Sequence, residues 1–336
     1  MYYDISKLIS YNGLLNFVIG ERGCGKTFSS KKFVLEDFIK NENEFVYLRR
    51  YKTELDDSLD TFWRDLQDNG FYDDLELTVK KSKALSKLKC DGKVCGYAMP
   101  LSTSNILKST AFPKVKTIIF DEFMLDYAAG TYHYLRKEVE MLLDVVETIG
   151  RLRDIRVIFL GNNISTSCPY FDYFKIDLPY NSDFKTYKDG LIVVNYVRNF
   201  EYRKAKRDSR FGRLIDGTTY GEYAIDNKSL RDNSHFIEKR PQGSTYSSTL
   251  IINGNHYGVW DGHNGFLYIS TKYDPSSKFK FACTMDDHTE DTIFTGFKNH
   301  IWLKYILTAY RNSRLMFDSQ KVKNGCVHLL NKSIAK

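Results

Sequence analysis

Short apolar runs recur along the first 200 positions, separated by longer stretches of mixed character. Runs at residues 15–19, 45–49, 77–80, 94–99, 117–120, 157–160 and 191–196 predict strands. Helical periodicity predicts helices over 26–39, 56–68 and 134–149. In the last of these, Val139, Leu142, Leu143 and Val146 fall on one face. Strands alternating with helices predict an α/β sheet, mainly parallel.

The texture changes after residue 200. Residues 201–213 form a basic run containing Arg203, Lys204, Lys206, Arg207, Arg210 and Arg213, and Asp216-Gly217 and Tyr220-Gly221 follow as turn signals. Residues 201–228 therefore read as a basic linker or lid. Beyond it, short strands are predicted at 236–239, 245–252, 256–260 and 265–270, with Asn253-Gly254 and Asp261-Gly262 as hairpin turns. Helices are predicted near 291–310 and 321–330. The expected organisation is an α/β domain over 1–200, the linker over 201–228, and a small α+β domain over 229–336.

Composition narrows the function classes. No apolar run approaches the roughly 18 residues of a membrane span, and Met1-Tyr2-Tyr3-Asp4-Ile5-Ser6 lacks the basic-then-apolar start of a secretory signal. A cytosolic protein without a membrane partner is expected. The six cysteines are scattered and read as reduced thiols rather than a zinc site. A net charge of +7 suits a polyanionic partner.

The sharpest chemical signal is Gly20-Glu21-Arg22-Gly23-Cys24-Gly25-Lys26-Thr27, which fits G-x-x-x-x-G-K-[ST] between a predicted strand and a predicted helix. Glycines let backbone N–H groups close around a phosphate. Lys26 is placed to neutralise the β/γ-phosphates of ATP, and Thr27 to ligate Mg2+. Cys24, within the loop, reads as open to alkylation. The apolar strand at 117–120 runs into Asp121 and Glu122. Asp121 there suits the metal, and Glu122 suits the polarisation of an attacking water. Asn162 ends another apolar strand, as a γ-phosphate sensor or a turn residue.

Phosphoryl transfer also needs positive charge on the γ-phosphate. Arg22 is placed to supply it in cis. Arg151 and Arg153, after the helix ending at Gly150, are placed to reach a neighbouring subunit or simply to cap the helix. Arg49-Arg50-Tyr51-Lys52 suits nucleic-acid backbone contacts, with Lys52 as a second candidate for the nucleotide; Lys108 is a further nucleic-acid candidate. The 203–213 cluster reads as a DNA or subunit contact, or as a solvated hinge.

Residues 15–27, Tyr47-Leu-Arg-Arg-Tyr-Lys52, Ile118-Ile-Phe-Asp-Glu-Phe123 and Arg210-Phe-Gly-Arg-Leu-Ile-Asp-Gly217 together resemble the genome-packaging motor ATPase of small, terminal-protein-primed tailed phages, the phi-twenty-nine-like type. The likeness extends to Phe236-Ile-Glu-Lys-Arg240 and Gly258-Val-Trp260. It implies an additional-strand P-loop ATPase domain related to large terminases, followed by an RNase H-like domain without its catalytic acids. Asp261, Asp274, Asp286 and Asp287 form no persuasive metal-binding set, and turn chemistry accounts for them. The resemblance also implies an ATP- and Mg2+-dependent translocase for double-stranded DNA. It would work as a ring, a pentamer by the family's pattern, at the portal of a prohead in the host cytoplasm. A structural packaging RNA is a further implied partner. Asp121 takes the metal role, Glu122 the base and Arg151 the trans-acting arginine, with Arg153 competing for that last role. The alternatives are a P-loop kinase and a non-catalytic nucleic-acid-binding ring component.

Overall fold

Buried apolar strands dictate the arrangement of the first 231 residues. The computed structural model describes residues 2–107, 110–125, 133–165, 168–179, 182–226, 236–295, 300–326 and 329. Two units separate, Met1–Arg231 and Asp232–Lys336.

In the first unit the described strands are β1 (Leu15–Gly20), β2 (Glu44–Arg49), β3 (Leu77–Lys80), β4 (Ser86–Cys90), β5 (Lys93–Pro100), β6 (Val115–Asp121), β7 (Arg156–Asn162), β8 (Phe184–Tyr187) and β9 (Ile192–Tyr196). They form one sheet in the order β3-β4-β5-β2-β6-β7-β1-β9-β8. The six strands from β5 to β9 in that order run parallel, and β3, β4 and β8 add antiparallel edges. Central strands are covered on both faces, which is why β1, β6 and β7 read as continuous apolar runs. Alternation along β1 sends Phe17 and Ile19 into one core layer and Val18 into the other.

Helices α1 (Ser6–Ser10), α2 (Lys26–Asn41), α3 (Lys52–Leu59), α4 (Arg64–Gln67), α5 (Glu138–Gly150) and α6 (Pro169–Phe174) accompany the sheet. The helix expected over 56–68 is two. It begins earlier, at a capping box formed by Tyr51 and Glu54, and breaks before Phe62 and Trp63. Both rings are buried, edge to face at 4.7 Å. The break lets these two adjacent rings, which a helix would project about 100° apart, pack against each other in the core. The basic stretch read as a linker holds α7 (Phe200–Asp208), α8 (Arg210–Ile215) and α9 (Thr219–Ala224), started by side-chain caps from Asn199, Ser209 and Thr218. Ile215, Tyr223, Ala224 and Ile225 join the first unit's core, so this stretch packs as part of that unit.

In the second unit β10 (Thr245–Ile252), β11 (Asn255–Asp261) and β12 (Leu267–Ser270) form an antiparallel meander. Strand β13 (Lys280–Ala282) pairs parallel with β10, and β14 (Ile293–Phe294) with β13. These directions give the RNase H-like sheet, with β15 (Leu315–Phe317) added parallel to β12. Helices α10 (Ile301–Arg311) and α11 (Gln320–Gly325) complete it. The strand expected at 236–239 is a single bridge from Ile237 to Phe317. The helix expected from 291 starts at Ile301, because β14 occupies its head. The Asn253-Gly254 turn has φ of 50° and 74°, the left-handed pair that a two-residue hairpin requires. Among the described residues no helix is long and apolar enough to cross a membrane.

Candidate nucleotide site and its surroundings

Strand order brings the motifs together. Strand β7 lies between β1 and β6, so the phosphate loop and Asp121 leave the sheet on either side of an added strand. In register, Gly20 pairs with Asn162, and Asp121 with Leu160. All three polar ends therefore meet at one edge, where ligands of open α/β sheets gather.

Helix α2 begins at Lys26, directly behind Gly25 in the left-handed region. The Lys26 ammonium is buried and donates to Gly20 O at 3.1 Å, Glu21 O at 2.7 Å and Asn162 Oδ1 at 3.2 Å. Thr27 Oγ1 lies 3.3 and 3.2 Å from the two oxygens of Asp121. Tyr47 donates its hydroxyl to Asp121 Oδ2 at 2.8 Å. Burial, then the Asp121 charge, push the Tyr47 phenol well above its usual range, so it stays a donor. A tyrosine inside a fully buried strand needs a hydroxyl partner; that signal was available in the sequence and was missed.

Glu122 leaves the strand at φ 57°, an uncommon conformation for a residue with a side chain. Its carboxylate is half exposed and accepts from Arg49 Nη2 at 2.7 Å, while Arg49 Nη1 stands 3.7 Å from Asp121. Arg49, read as a nucleic-acid contact, is thus turned onto the two acids of the nucleotide site.

Arg50 corrects the same reading more strongly. Its side chain is only 1% exposed and forms a bidentate pair with Glu138, at 2.7 and 2.9 Å. Its remaining donors reach Glu122 O at 3.1 Å and Phe123 O at 2.6 Å. Glu138 also accepts from Tyr170 Oη at 2.7 Å and Leu135 N at 2.8 Å. A guanidinium so enclosed cannot meet a polyanion; it pins the backbone that carries Glu122. Burial disfavours the Arg50 charge, yet the Glu138 carboxylate more than offsets it and holds the pKa above normal. Arg50→Ala would strand a buried carboxylate. The expected loss in urea unfolding is on the order of 3–5 kcal/mol, with much of it recovered in an Arg50→Met/Glu138→Leu double variant.

The other candidates separate by exposure. Arg22 and Arg151 are exposed. Arg153 is not available to a neighbour: its guanidinium donates to the carbonyls of Pro113 at 2.7 Å, Val115 at 3.0 Å and Phe112 at 2.7 Å, and to that of Ile149. It staples the turn from which Arg151, at φ 50°, and a fully exposed Leu152 project. Lys52 is half exposed, donating to Lys83 O at 2.9 Å. Lys108 lies outside the described residues. Cys24, expected to be open to reagents, is completely buried, and burial pushes its thiol pKa up.

Sequence reasoning missed the contact of α7 with the phosphate loop. Arg203 pairs with the buried Glu21 carboxylate. Tyr202 Oη at 3.2 Å and Lys206 Nζ at 2.9 Å both donate to Arg22 O. Burial lowers the Lys206 pKa. Gly23 has φ 84°, which favours glycine, and a Cβ there would stand 2.6 Å from Tyr202 Oη and displace it. Two members of the basic cluster are therefore committed to the nucleotide loop.

In the second unit the acids hold turns. Asp287 accepts from Asn253 N and Gly254 N, both at 2.7 Å, and Asp274 from Ser276 N at 2.9 Å. Asp261 accepts from His263 N at 2.9 Å. Among the described residues no three His, Cys, Asp or Glu side chains converge as a metal site.

Residues 1–334 match the family model of the podovirus DNA encapsidation protein (Gp16). The chain is 38% identical over 335 residues to the DNA packaging protein of Bacillus phage phi29, covering 99% of this chain and 98% of that relative. In structure it is similar to a chain of the bacteriophage Phi-29 viral genome packaging motor assembly, with TM-score 0.77, 37% identity and 99% of both chains covered. The crystal structure of the N-terminal domain of the DNA packaging ATPase from bacteriophage phi29 matches with TM-score 0.54 and 36% identity, over 60% of this chain and 98% of that domain.

Proposed function

This chain belongs to the podovirus DNA encapsidation protein family, and on that premise we propose that it is an ATP-driven translocase packaging double-stranded viral DNA into a prohead, as a ring of its own copies at the portal vertex. The observation that carries this reading is the convergence of Lys26, Thr27, Asp121, Glu122 and Asn162 at one sheet edge, across an added strand.

The donor set fits Mg2+-ATP. A hydroxyl and a carboxylate 3.2 Å apart are the oxygen ligands a small hard cation takes. Bound with ATP, the ion supplies positive charge on the phosphate oxygens. Lys26, resting on loop carbonyls, turns its ammonium to the phosphates. Tyr47 and the N-terminus of α2 fix Asp121 and Thr27 for the ion. Glu122 accepts the proton of the attacking water once Arg49 releases it, since a carboxylate held by a guanidinium is a weaker base. Asn162 senses the γ-phosphate. Arg22 in cis and Arg151 from the next subunit stabilise its transition-state charge.

For DNA, Lys52 and Lys108 remain the proposed backbone contacts. The domain reading is residues 1–200 for ATP, 201–228 as a lid on that domain, and 229–336 for docking. The docking domain presents Lys239, Arg240, Lys278 and Lys280 to the portal or to a structural RNA, with the motor attached to the prohead in the host cytoplasm. The test is ATPase activity with duplex DNA of varied sequence and salt. Stimulation by any sequence, falling steeply with salt and lost in Lys52→Ala, is expected. Transfer of the γ-phosphate to an acceptor would make this a kinase. Salt-insensitive stimulation would end the backbone-contact reading.

A further inference from the structure

Glu21 faces two ways. Its carbonyl oxygen is the closest partner of the Lys26 ammonium, at 2.7 Å. Its carboxylate, wholly buried, holds Arg203 on α7. The second carboxylate oxygen is buried and accepts no hydrogen bond among the described residues. One residue further on, the Arg22 carbonyl accepts from both Tyr202 and Lys206 of the same helix. The loop that must reshape around phosphates is therefore bound through consecutive residues to a helix outside the sheet. A buried acid inside a phosphate-binding loop is also costly, because it repels the ligand the loop serves.

We propose that Glu21 and Arg203 are positioning residues that tie nucleotide occupancy of the phosphate loop to helix α7. In the empty loop, Glu21 neutralises Arg203 and keeps its charge from the site. Phosphates draw Lys26 off the Glu21 carbonyl and compete with the Glu21 carboxylate for Arg203. The pull is passed to α7 through the ion pair, while the two bonds on the Arg22 carbonyl keep the helix seated on the loop in either state. The inference rests on the ATP reading of this site and extends it to the basic stretch after residue 200.

The charges give a test by sign. Glu21→Gln releases Arg203 toward the phosphates, so binding of a fluorescent ATP analogue to the full-length protein tightens by several-fold. Arg203→Gln leaves the acid uncompensated, so binding weakens about tenfold, the scale of one charge-assisted hydrogen bond. The Glu21→Gln/Arg203→Gln double variant returns close to the unaltered affinity, and Arg203→Lys lies between. Hydrogen exchange of α7 amides should respond to the analogue in the unaltered protein and not in the double variant. A merely structural pair would weaken binding in both single variants, and that result overturns the proposal. So does an α7 response that survives in the double variant. If the unaltered protein binds no analogue, the ATP reading itself fails. If it binds and hydrolyses ATP while both single variants weaken binding, only the coupling fails.

Discussion

Glu122→Gln is expected to bind ATP as the unaltered chain does and to hydrolyse it at least about a hundredfold more slowly, the lower bound for loss of a positioned general base. The substitution keeps the side-chain shape and removes only the proton-accepting charge. The groups proposed for ATP and its ion, Lys26, Thr27 and Asp121, are untouched. The backbone contacts of Glu122, its carbonyl on Arg50 and its N–H on Asp121, do not involve its own carboxylate and should survive. The measurement pairs equilibrium binding of an ATP analogue with steady-state phosphate release. Lys26→Ala is the contrast, losing binding itself. Near-normal turnover in Glu122→Gln would move the base elsewhere, and lost binding would mean that the acid shapes the pocket instead.

The residues proposed for these roles are legible in the amino-acid sequence, for a physical reason. Strands β1, β6 and β7 are buried on both faces, so each reads as an unbroken apolar run. The residues proposed for the chemistry sit where each run ends, Asp121 and Asn162 as its last residue and Lys26-Thr27 just past the glycine turn that follows β1. Lys26, Thr27, Asp121 and Asn162 are thus legible from local sequence, and the fold brings Lys26 to Asn162 and Thr27 to Asp121 within hydrogen-bonding distance. Whatever depends on a distant partner is not legible. Arg50 sits in a basic tetrapeptide that looks like a surface patch, yet its counter-ion lies 88 residues away. Arg203 and Lys206 look like members of a solvated cluster, yet their partners lie more than 180 residues earlier in the phosphate loop. Arg153 shows the same effect with backbone partners, which carry no sequence signal. Strand β4, paired on both sides between β3 and β5, places lysines between Ser86, Leu88 and Cys90 over only five residues, a run too short and too polar to stand out from the loop around it.

Arg151→Ala is expected to lower hydrolysis by on the order of a thousandfold, the scale of an arginine supplied across an interface to a phosphoryl-transfer site. The turn favours this role. Arg153 spends its guanidinium on four carbonyls and fixes the segment, so Arg151 and the fully exposed Leu152 project from a rigid base. Rigidity matters, since an arginine placed in advance loses little freedom when the neighbour's phosphates arrive. The decisive measurement mixes variants. Arg151→Ala subunits keep an intact Glu122, and Glu122→Gln subunits keep an intact Arg151. Each alone should be nearly inactive. In an equal mixture, roughly a quarter of the junctions in a head-to-tail ring combine a working base with a working arginine. Hydrolysis should therefore reappear at a substantial fraction of the unaltered rate. Arg153→Ala should behave differently, lowering the unfolding midpoint and giving no rescue specific to mixing, because its bonds lie within one subunit. If rings assemble from the Arg151→Ala and Glu122→Gln mixture and no activity returns at any ratio, the arginine does not act in trans. Arg22, exposed within the phosphate loop, would then have to supply that charge from the same subunit.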